Sequence, residues 1–480
     1  MINTPQITNK DFAFIAGFVF SLIVLVIAKE WWELLLLPVS LLVVWLTLHR
    51  LDWAMWFVVA ATPLSVNLTD LTGGSGLSLP TEPMLVLITG LVIIKMVFYG
   101  ECDKRLIHHP ISIAIYVYLV WMLITVITSQ LPLVSLKQWV TRVWFIIPYY
   151  FVLGHLFLRN PKNAIRFLWI FLVPLIIACL YTIFIHSQYG FTKKTSTWVM
   201  FPLFKEHTSY GAVLAMFYPA AIYLTFRKSS WGLKSVAFLL LLILTGALVL
   251  SYTRAAWLSL AGAGLVYLVY VFRMSKPLVW SLVGLVFVIA AFNFSMISSK
   301  FERNTTDSSD DLNEHVASVT NVSTDASNLE RINRWKCALR MYAERPFLGH
   351  GPGTYMFLYA PYQKPSEKTI ISTNGGNRGN AHSEYLGPLA ESGFFGLATL
   401  LGLIITVIVV SVHTYQRIEN QRIQGILRVA FLGLITYYLH GFLNNFLDMD
   451  KASAPFWGFT ALIASLSINH PVKFKQFLKR

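Results

Sequence analysis

Charge is scarce in this 480-residue sequence: Asp, Glu, Lys and Arg together make up 13%, against about a quarter in an ordinary soluble domain. That is too little polar surface for a water-soluble globule of this size, and the same shortage excludes a disordered chain. Cysteine is nearly absent. Cys102, Cys179 and Cys337 lie far apart without metal-ligand or redox spacing, which excludes a disulfide-stapled scaffold and a zinc module. Acidic residues are also few, 23 against 38 Lys plus Arg, for a formal net charge of +15. What is plentiful is apolar: 56% hydrophobic residues. The composition predicts an integral membrane protein.

A membrane helix needs about 20 mostly apolar residues. Fourteen candidate spans follow by inspection, near 12–28, 34–48, 53–68, 84–99, 111–129, 142–158, 166–186, 207–226, 233–251, 255–272, 277–297, 394–413, 427–446 and 454–469. The second and third are short, so the expected architecture is an all-α polytopic bundle of about 12–14 transmembrane helices. Cys179 falls inside one span and Cys102 in a basic loop.

Alternating spans from a cytoplasmic N-terminus puts Arg50, Lys104–Arg105, Arg159/Lys162/Arg166, Arg227/Lys228/Lys234, Arg273/Lys276, Arg417/Arg422/Arg428 and the tail Lys473–Arg480 inside. The short loops assigned outside are poorer in Lys and Arg, as the positive-inside bias requires. Both termini are expected in the cytoplasm. The expected organisation is an N-terminal membrane region, 1–297, a large extracytoplasmic loop, 298–392, and a C-terminal membrane region, 393–480. Loops this long obey the charge bias weakly, so the basic residues inside the loop call for another explanation.

Within that loop, Asn304–Asp325 is rich in Ser, Thr, Asn and Asp and reads as a flexible connection. Ser327 and Glu330 then have capping-box spacing. Leu329, Ile332, Trp335, Leu339 and Tyr342 follow at helical spacing up to Pro346, predicting an amphipathic helix buried along that stripe. Arg331 and Arg334 lie beside the stripe. Farther on come Gly349-His-Gly-Pro-Gly353, the aromatics Tyr355, Phe357, Tyr359 and Tyr362, and Asn380-Ala-His-Ser-Glu-Tyr-Leu386.

Arg331 with Trp335, Pro346 to Gly353, His382-Ser-Glu-Tyr-Leu386 and Glu391-Ser-Gly393, in that order, resemble the O-antigen ligase family. Its superfamily includes some O-antigen polymerases and bacterial protein O-oligosaccharyltransferases. The resemblance extends to Phe204–Pro219 and to Ser251-Tyr-Thr-Arg254-Ala255. It implies a multi-pass enzyme of the bacterial inner membrane, with its large loop in the periplasm. Such an enzyme transfers a glycan from undecaprenyl diphosphate to an acceptor hydroxyl, for the ligases a sugar of lipid A–core in lipopolysaccharide biosynthesis. It further implies a functional histidine at His382 and functional arginines at Arg254 and Arg331, with Arg334, one turn on, as a competing choice.

The chemistry suits these residue types. Breaking a sugar–phosphate bond loads negative charge onto a diphosphate, and guanidinium groups stay charged and bind phosphate oxygens bidentately. Arg254 stands at the end of an apolar helix, where an arginine is either functional or a snorkelling anchor. For Arg331 the alternative is a solvated helix face; Arg334, Arg340 and Arg345 read as surface charges. A neutral imidazole can take the acceptor proton. Asn380 could cap a helix holding His382 in its first turn, which would disfavour imidazolium; Glu384 and Glu391 would oppose that.

His207 could meet phosphate or acceptor, with a structural role the stronger reading, and His350 reads as a turn residue. Asp448-Met-Asp450 has the spacing of a metal-binding pair, but two acids at this spacing are common, and no metal or other cofactor is expected. The loop aromatics read as loop core or interfacial belt. Expected partners are the lipid-linked glycan, a glycan acceptor and membrane lipids, not nucleic acid. A flippase for the lipid-linked glycan is the rival of another class; it would favour internal repeats and broken midplane helices, and it needs no base.

Overall fold

The computed structural model describes residue 17 and residues 36–68, 77–100, 103–271, 326–369, 372 and 379–471. The expected spans near 12–28 and 277–297, Cys102, the connection Asn304–Asp325, and Ser327 of the capping box lie outside the described residues or have undescribed side chains. Elsewhere the chain is a helical bundle. In order come α1 (Leu36–His49), α2 (Leu51–Ala61), α3 (Thr81–Tyr99), α4 (Lys104–Ile107), α5 (Pro110–Ile127), α6 (Pro132–Arg159), α7 (Lys162–Ser187) and α8 (Lys193–Ser196). Then follow α9 (His207–Phe226), α10 (Trp231–Leu250), α11 (Arg254–Val271), α12 (Ala326–Glu344), α13 (Tyr355–Leu358), α14 (Leu386–Arg417), α15 (Gln421–His440) and α16 (Asp450–Asn469).

Eight of these, α3, α5, α6, α7, α9, α10, α14 and α15, are long and apolar enough to cross a bilayer. Segments Leu51–Leu64 and Arg254–Val269 are shorter apolar helices. The chain is an all-α, multi-pass membrane protein. The strands among the described residues are a two-residue antiparallel pair, Val66–Asn67 with Ser78–Leu79.

Every expected span within the described residues coincides with a helix, but three boundaries move. The span expected at 142–158 begins at Pro132, and Arg142, the first residue of the expected span, is buried within the helix. The π-helical stretch Ile147–Val152 interrupts α6 at Pro148, which has no N–H for the helical ladder. The span expected at 427–446 runs instead from Gln421 to His440, leaving Gly441–Met449 as a polar link. The span expected at 53–68 ends at Leu64, with Val66–Asn67 in a strand. In α14, by contrast, Gly393 has a non-helical backbone (φ 69°, ψ −167°) that separates the turns from Leu386 to Ser392 from a span beginning at 394, as expected.

Helix α16 occupies the middle of the bundle. Every residue from Asp450 to Leu466 is buried, packed against α6, α14 and α15. A helix surrounded by protein can carry polar residues, since only lipid-facing positions must be apolar. Its first turn is tied to the strand pair: Ser65 Oγ and Thr81 Oγ1 both donate to Asp450 Oδ2 at 2.6 Å, and Lys451 Nζ donates to the Ser65 carbonyl at 2.7 Å.

Helix α12 packs on α14, but not along the expected stripe. Its buried positions are Glu330, Asn333, Arg334, Cys337, Ala338 and Met341, whereas Leu339 is 48% exposed and Ile332, Trp335 and Tyr342 are half-buried. A polar network explains the inversion. Glu330 takes an ion pair from Arg334 Nε at 2.8 Å and a hydrogen bond from Thr369 Oγ1 at 2.9 Å; Asn333 Nδ2 donates to Gln363 Oε1 at 3.1 Å. Satisfied in this way, charged and amide groups can be buried. Cys337, Ala338 and Met341 form a small core with Tyr355 and Tyr359, whose rings stack at 5.4 Å. Those two aromatics are loop core.

Candidate active site

His382 lies in the segment before α14, outside any helix. Its φ is +49°, a left-handed conformation that non-glycine residues adopt rarely. Three bonds hold it. Its N–H donates to Asn380 Oδ1 at 3.0 Å, its carbonyl accepts from Trp335 Nε1 at 3.3 Å, and its ring hydrogen-bonds the Asn444 side chain. The expectation that Asn380 caps a helix around His382 is therefore corrected: Asn380 closes a turn, and the helix begins four residues later at Leu386, where Ser383 Oγ accepts from the Tyr385 and Leu386 N–H groups.

Arg331 stands four residues before Trp335 on α12, so both project from one helix face. Trp335 fixes the His382 backbone, and Arg331 acts on its ring. Burial, then Arg331 and Arg334, push the His382 imidazole down to about 3, against a smaller opposing effect of Asn444. The expected cause, a helix N-terminus, is replaced by desolvation and two guanidinium charges. Neither Glu384 nor Glu391 is among the groups that shift it.

Two further elements reach the same place. Glu206, just before α9, lies within electrostatic reach of Lys205 and Arg331; burial nevertheless raises its pKa. At the end of α15, His440 also feels Arg331 and lies beside the backbone of Ala255, the residue after Arg254. Asn444 Nδ2 donates to His440 Nε2 at 3.1 Å, linking His440 through one side chain to His382. Arg254 opens α11 directly after Thr253, whose hydroxyl donates to the His207 carbonyl at 2.8 Å. Gly211 permits that contact: a Cβ there would fall 2.7 Å from the Thr253 Cβ. Thus the start of α9, the start of α11, the end of α15, α12 and the His382 turn meet at one end of the bundle. Arg331 and His382 act on one another there, and backbone contacts bring the segments of Arg254 and His207 to the same end.

Arg334 does not behave as a surface charge. It is buried, paired to Glu330, 4.9 Å from the Tyr359 ring centroid, and its Nη1 donates to the Asn380 carbonyl at 3.2 Å. Its guanidinium supports the turn that carries His382. Arg340 is also tied down, to Glu367 and the Tyr362 carbonyl. His350 is buried in its turn, between Gln130 Oε1 and the Met341 carbonyl, each at 3.0 Å.

Against the 380–384 segment lies a small cavity of about 120 Å³ that sequence reasoning missed. Asn380, Ser383, Glu384, Glu391, Gln138, Arg142, Trp121 and Asp448 are among its walls. Arg142 Nη2 donates to Asp448 Oδ1 at 2.7 Å, while its buried Nε and Nη1 have no protein partner. Glu384 Oε1 accepts from Tyr437 Oη at 2.5 Å and from the Phe446 and Leu447 N–H groups at 2.7 and 2.9 Å. Burial raises the Glu384 pKa, with Arg142 acting in the opposite direction. Glu391, a candidate site acid, accepts from the Tyr355 N–H at 3.0 Å and so also anchors the Gly351–Tyr355 turn. The signal that could have found this cavity is an arginine inside an apolar helix, which is expensive unless it is partnered or functional.

Asp448 and Asp450 diverge, one toward Arg142 and the other toward Ser65 and Thr81. They form no metal-binding pair, and among the described residues no cluster of three or more His, Cys, Asp or Glu is arranged to hold a metal ion.

No curated protein matches the chain. The family model described as O-antigen ligase matches residues 236–401, a stretch that runs from α10 into α14 and includes Arg254, Arg331 and His382. Over that segment, about a third of its length, the chain is similar to O-antigen ligases.

Proposed function

We propose that this protein transfers a glycan from undecaprenyl diphosphate to an acceptor hydroxyl, as an O-antigen ligase acting on lipid A–core, at the cluster around His382. The observation that carries this reading is that the Arg331 charge acts on the His382 ring, while the backbone next to Arg254 lies beside His440, which also feels Arg331. In this account Arg254 and Arg331 hold the diphosphate, and His382 receives the acceptor proton. The C1–O bond to phosphate breaks with its electron pair going to the diphosphate, the acceptor oxygen bonds to C1, and its proton passes to the imidazole.

The electrostatics favour coupling between the two halves of the reaction. In this setting His382 is neutral but a weak base, because burial and two arginines hold its pKa near 3. A bound diphosphate would offset the Arg331 charge and raise the basicity of His382 toward the working range. The base would then become effective when the leaving group is in place. A flippase has no need of such a base.

In this reading the cluster faces the periplasm of the bacterial inner membrane, both termini face the cytoplasm, residues 298–392 cap the site, and the flanking regions 1–297 and 393–480 are the membrane domains. Purified protein in vesicles, given a defined undecaprenyl-diphosphate glycan, tests the function. Lipid A–core, a second lipid-linked repeat and an acceptor protein are offered in parallel. A product linked to lipid A–core supports ligation; extension of the lipid-linked repeat or glycosylation of the protein reassigns the acceptor; glycan translocation without a new linkage refutes transfer.

A further inference from the structure

The helices α9, α11 and α15 each contribute one end to the His382 cluster, and their other ends also meet. There they form a groove of about 670 Å³, lined by the last turns of α9 with Arg227 and Lys228, by the second half of α11, and by the start of α15. Helix α9 has 20 residues, hence a length of about 30 Å, which matches the hydrocarbon core of a bilayer. The groove and the His382 cluster therefore lie at opposite membrane interfaces.

Its chemistry is one-sided. Arg227, Lys228, Arg422 and Arg428 line it, and no acidic residue is among the described lining residues. Three of these guanidinium groups, Arg227, Arg422 and Arg428, act on one point, the Tyr223 hydroxyl. Tyr223 is fixed there: its hydroxyl donates to the Arg422 carbonyl at 3.1 Å, and its ring lies so close to Gly425 that a Cβ would fall 2.3 Å from it. Below the charged rim the walls are apolar, with Phe226 75% exposed and Ile222 40% exposed.

We propose that this groove binds an anionic phospholipid, its phosphodiester against the arginine-rich rim and an acyl chain along the apolar walls between α9, α11 and α15. Charge complementarity selects this occupant. Basic pockets between membrane helices at the cytoplasmic face attract anionic headgroups, whereas a zwitterionic lipid brings no net charge to repay the approach of four cations. The site does not depend on the catalytic reading, because it shares helices with the His382 cluster but none of its residues.

Native mass spectrometry of the full-length protein, titrated with phosphatidylglycerol or phosphatidylcholine of the same chains, tests the proposal. Phosphatidylglycerol should bind more tightly, and each arginine removed should weaken it about fivefold. Arg422→Gln/Arg428→Gln should thus lose about 25-fold, while Lys234→Gln, a neighbouring basic residue outside the groove, should bind as wild type. Unchanged thermal unfolding of the double variant shows that its fold is intact; if it unfolds early, Arg227→Gln serves in its place. Equal binding of the two lipids, or full binding by the variants, overturns the proposal. Displacement of the lipid by inorganic phosphate alone would likewise overturn it, by showing an anion site without a lipid requirement.

Discussion

His382 and Arg331 approach one another from different elements, a left-handed turn before α14 and the first half of α12, and the charge of one depresses the basicity of the other. In isolation that is a poor arrangement for a general base. With a diphosphate beside Arg331 it becomes a good one, and the predictions below follow from that difference.

Replacing His382 by Ala should lower transfer by about 10²–10⁴-fold, the usual contribution of a positioned base, while leaving the affinity for the lipid-diphosphate donor within about threefold of wild type. Single-turnover product formation and equilibrium donor binding, measured on the same preparation, check both parts. Normal turnover by His382→Ala would remove the imidazole from the mechanism.

The pH dependence has a definite sign. The imidazole must be unprotonated to act, and in the free enzyme its pKa lies near 3, below the ordinary 6.5. The acid limb of kcat/KM should therefore fall well below pH 6.5, leaving the rate flat through neutrality. Arg331→Gln removes a neighbouring positive charge, so any residual activity should show that limb moved upward, toward 6.5. A wild-type limb at 6.5 would contradict the buried setting of His382.

The same shift links protonation to folding. Between pH 6.5 and about 3 the unfolded chain binds a proton at this histidine that the folded chain does not, so stability contributed by the neutral ring is present above 6.5 and lost as pH falls through that window. His382→Asn should flatten the acid side of a plot of thermal midpoint against pH. Parallel curves for the two proteins would place the proton on the folded-state ring.

Arg331 and Arg334 are one turn apart, yet the structure gives them different work. Arg334 is buried against Glu330 and Tyr359, and its loss strands a buried carboxylate at roughly 3–5 kcal/mol. Arg334→Gln should lower the thermal midpoint strongly, whereas Arg331→Gln should leave the midpoint nearly unchanged and weaken donor binding instead. Thermal unfolding beside donor titration separates the two; a reversed pattern would exchange their assignments.

Arg142 makes a parallel case at the other cavity. Its removal leaves buried Glu384 without the cation that acts on it and Asp448 with Gln138 alone, so Arg142→Ala should destabilise by about 3–5 kcal/mol. Asp448→Asn, at a carboxylate 43% exposed, should cost no more than about 1 kcal/mol. Equal effects in denaturation would show that the ion pair is not held by burial.

Much of the fold is legible in the sequence because apolar length alone identifies a span, as at Lys162–Ser187 or Trp231–Leu250. What composition cannot say is which neighbour a helix faces. The segment at 454–469 reads like any other span, yet Asp450–Asn469 is surrounded by protein. The stripe Leu329 to Tyr342 has the right period for burial, but the opposite face goes inside because Glu330, Asn333 and Arg334 find partners in distant chain. For the site, His382, Arg254 and Arg331 stand out as polar residues in a recognisable order. His440 and Asn444 were absorbed into an expected span at 427–446, and Arg142 into a helix boundary. Their polarity within apolar surroundings was the available signal; their partners, 60 or more residues away in the chain, were not visible from it.

The most direct test is an experimental structure of His382→Gln with an intact undecaprenyl-diphosphate glycan bound. The account predicts diphosphate oxygens within hydrogen-bonding distance of both Arg254 and Arg331, with the sugar C1 between them and residue 382. A diphosphate seated instead on Arg142, or reaching neither arginine of the cluster, would contradict it.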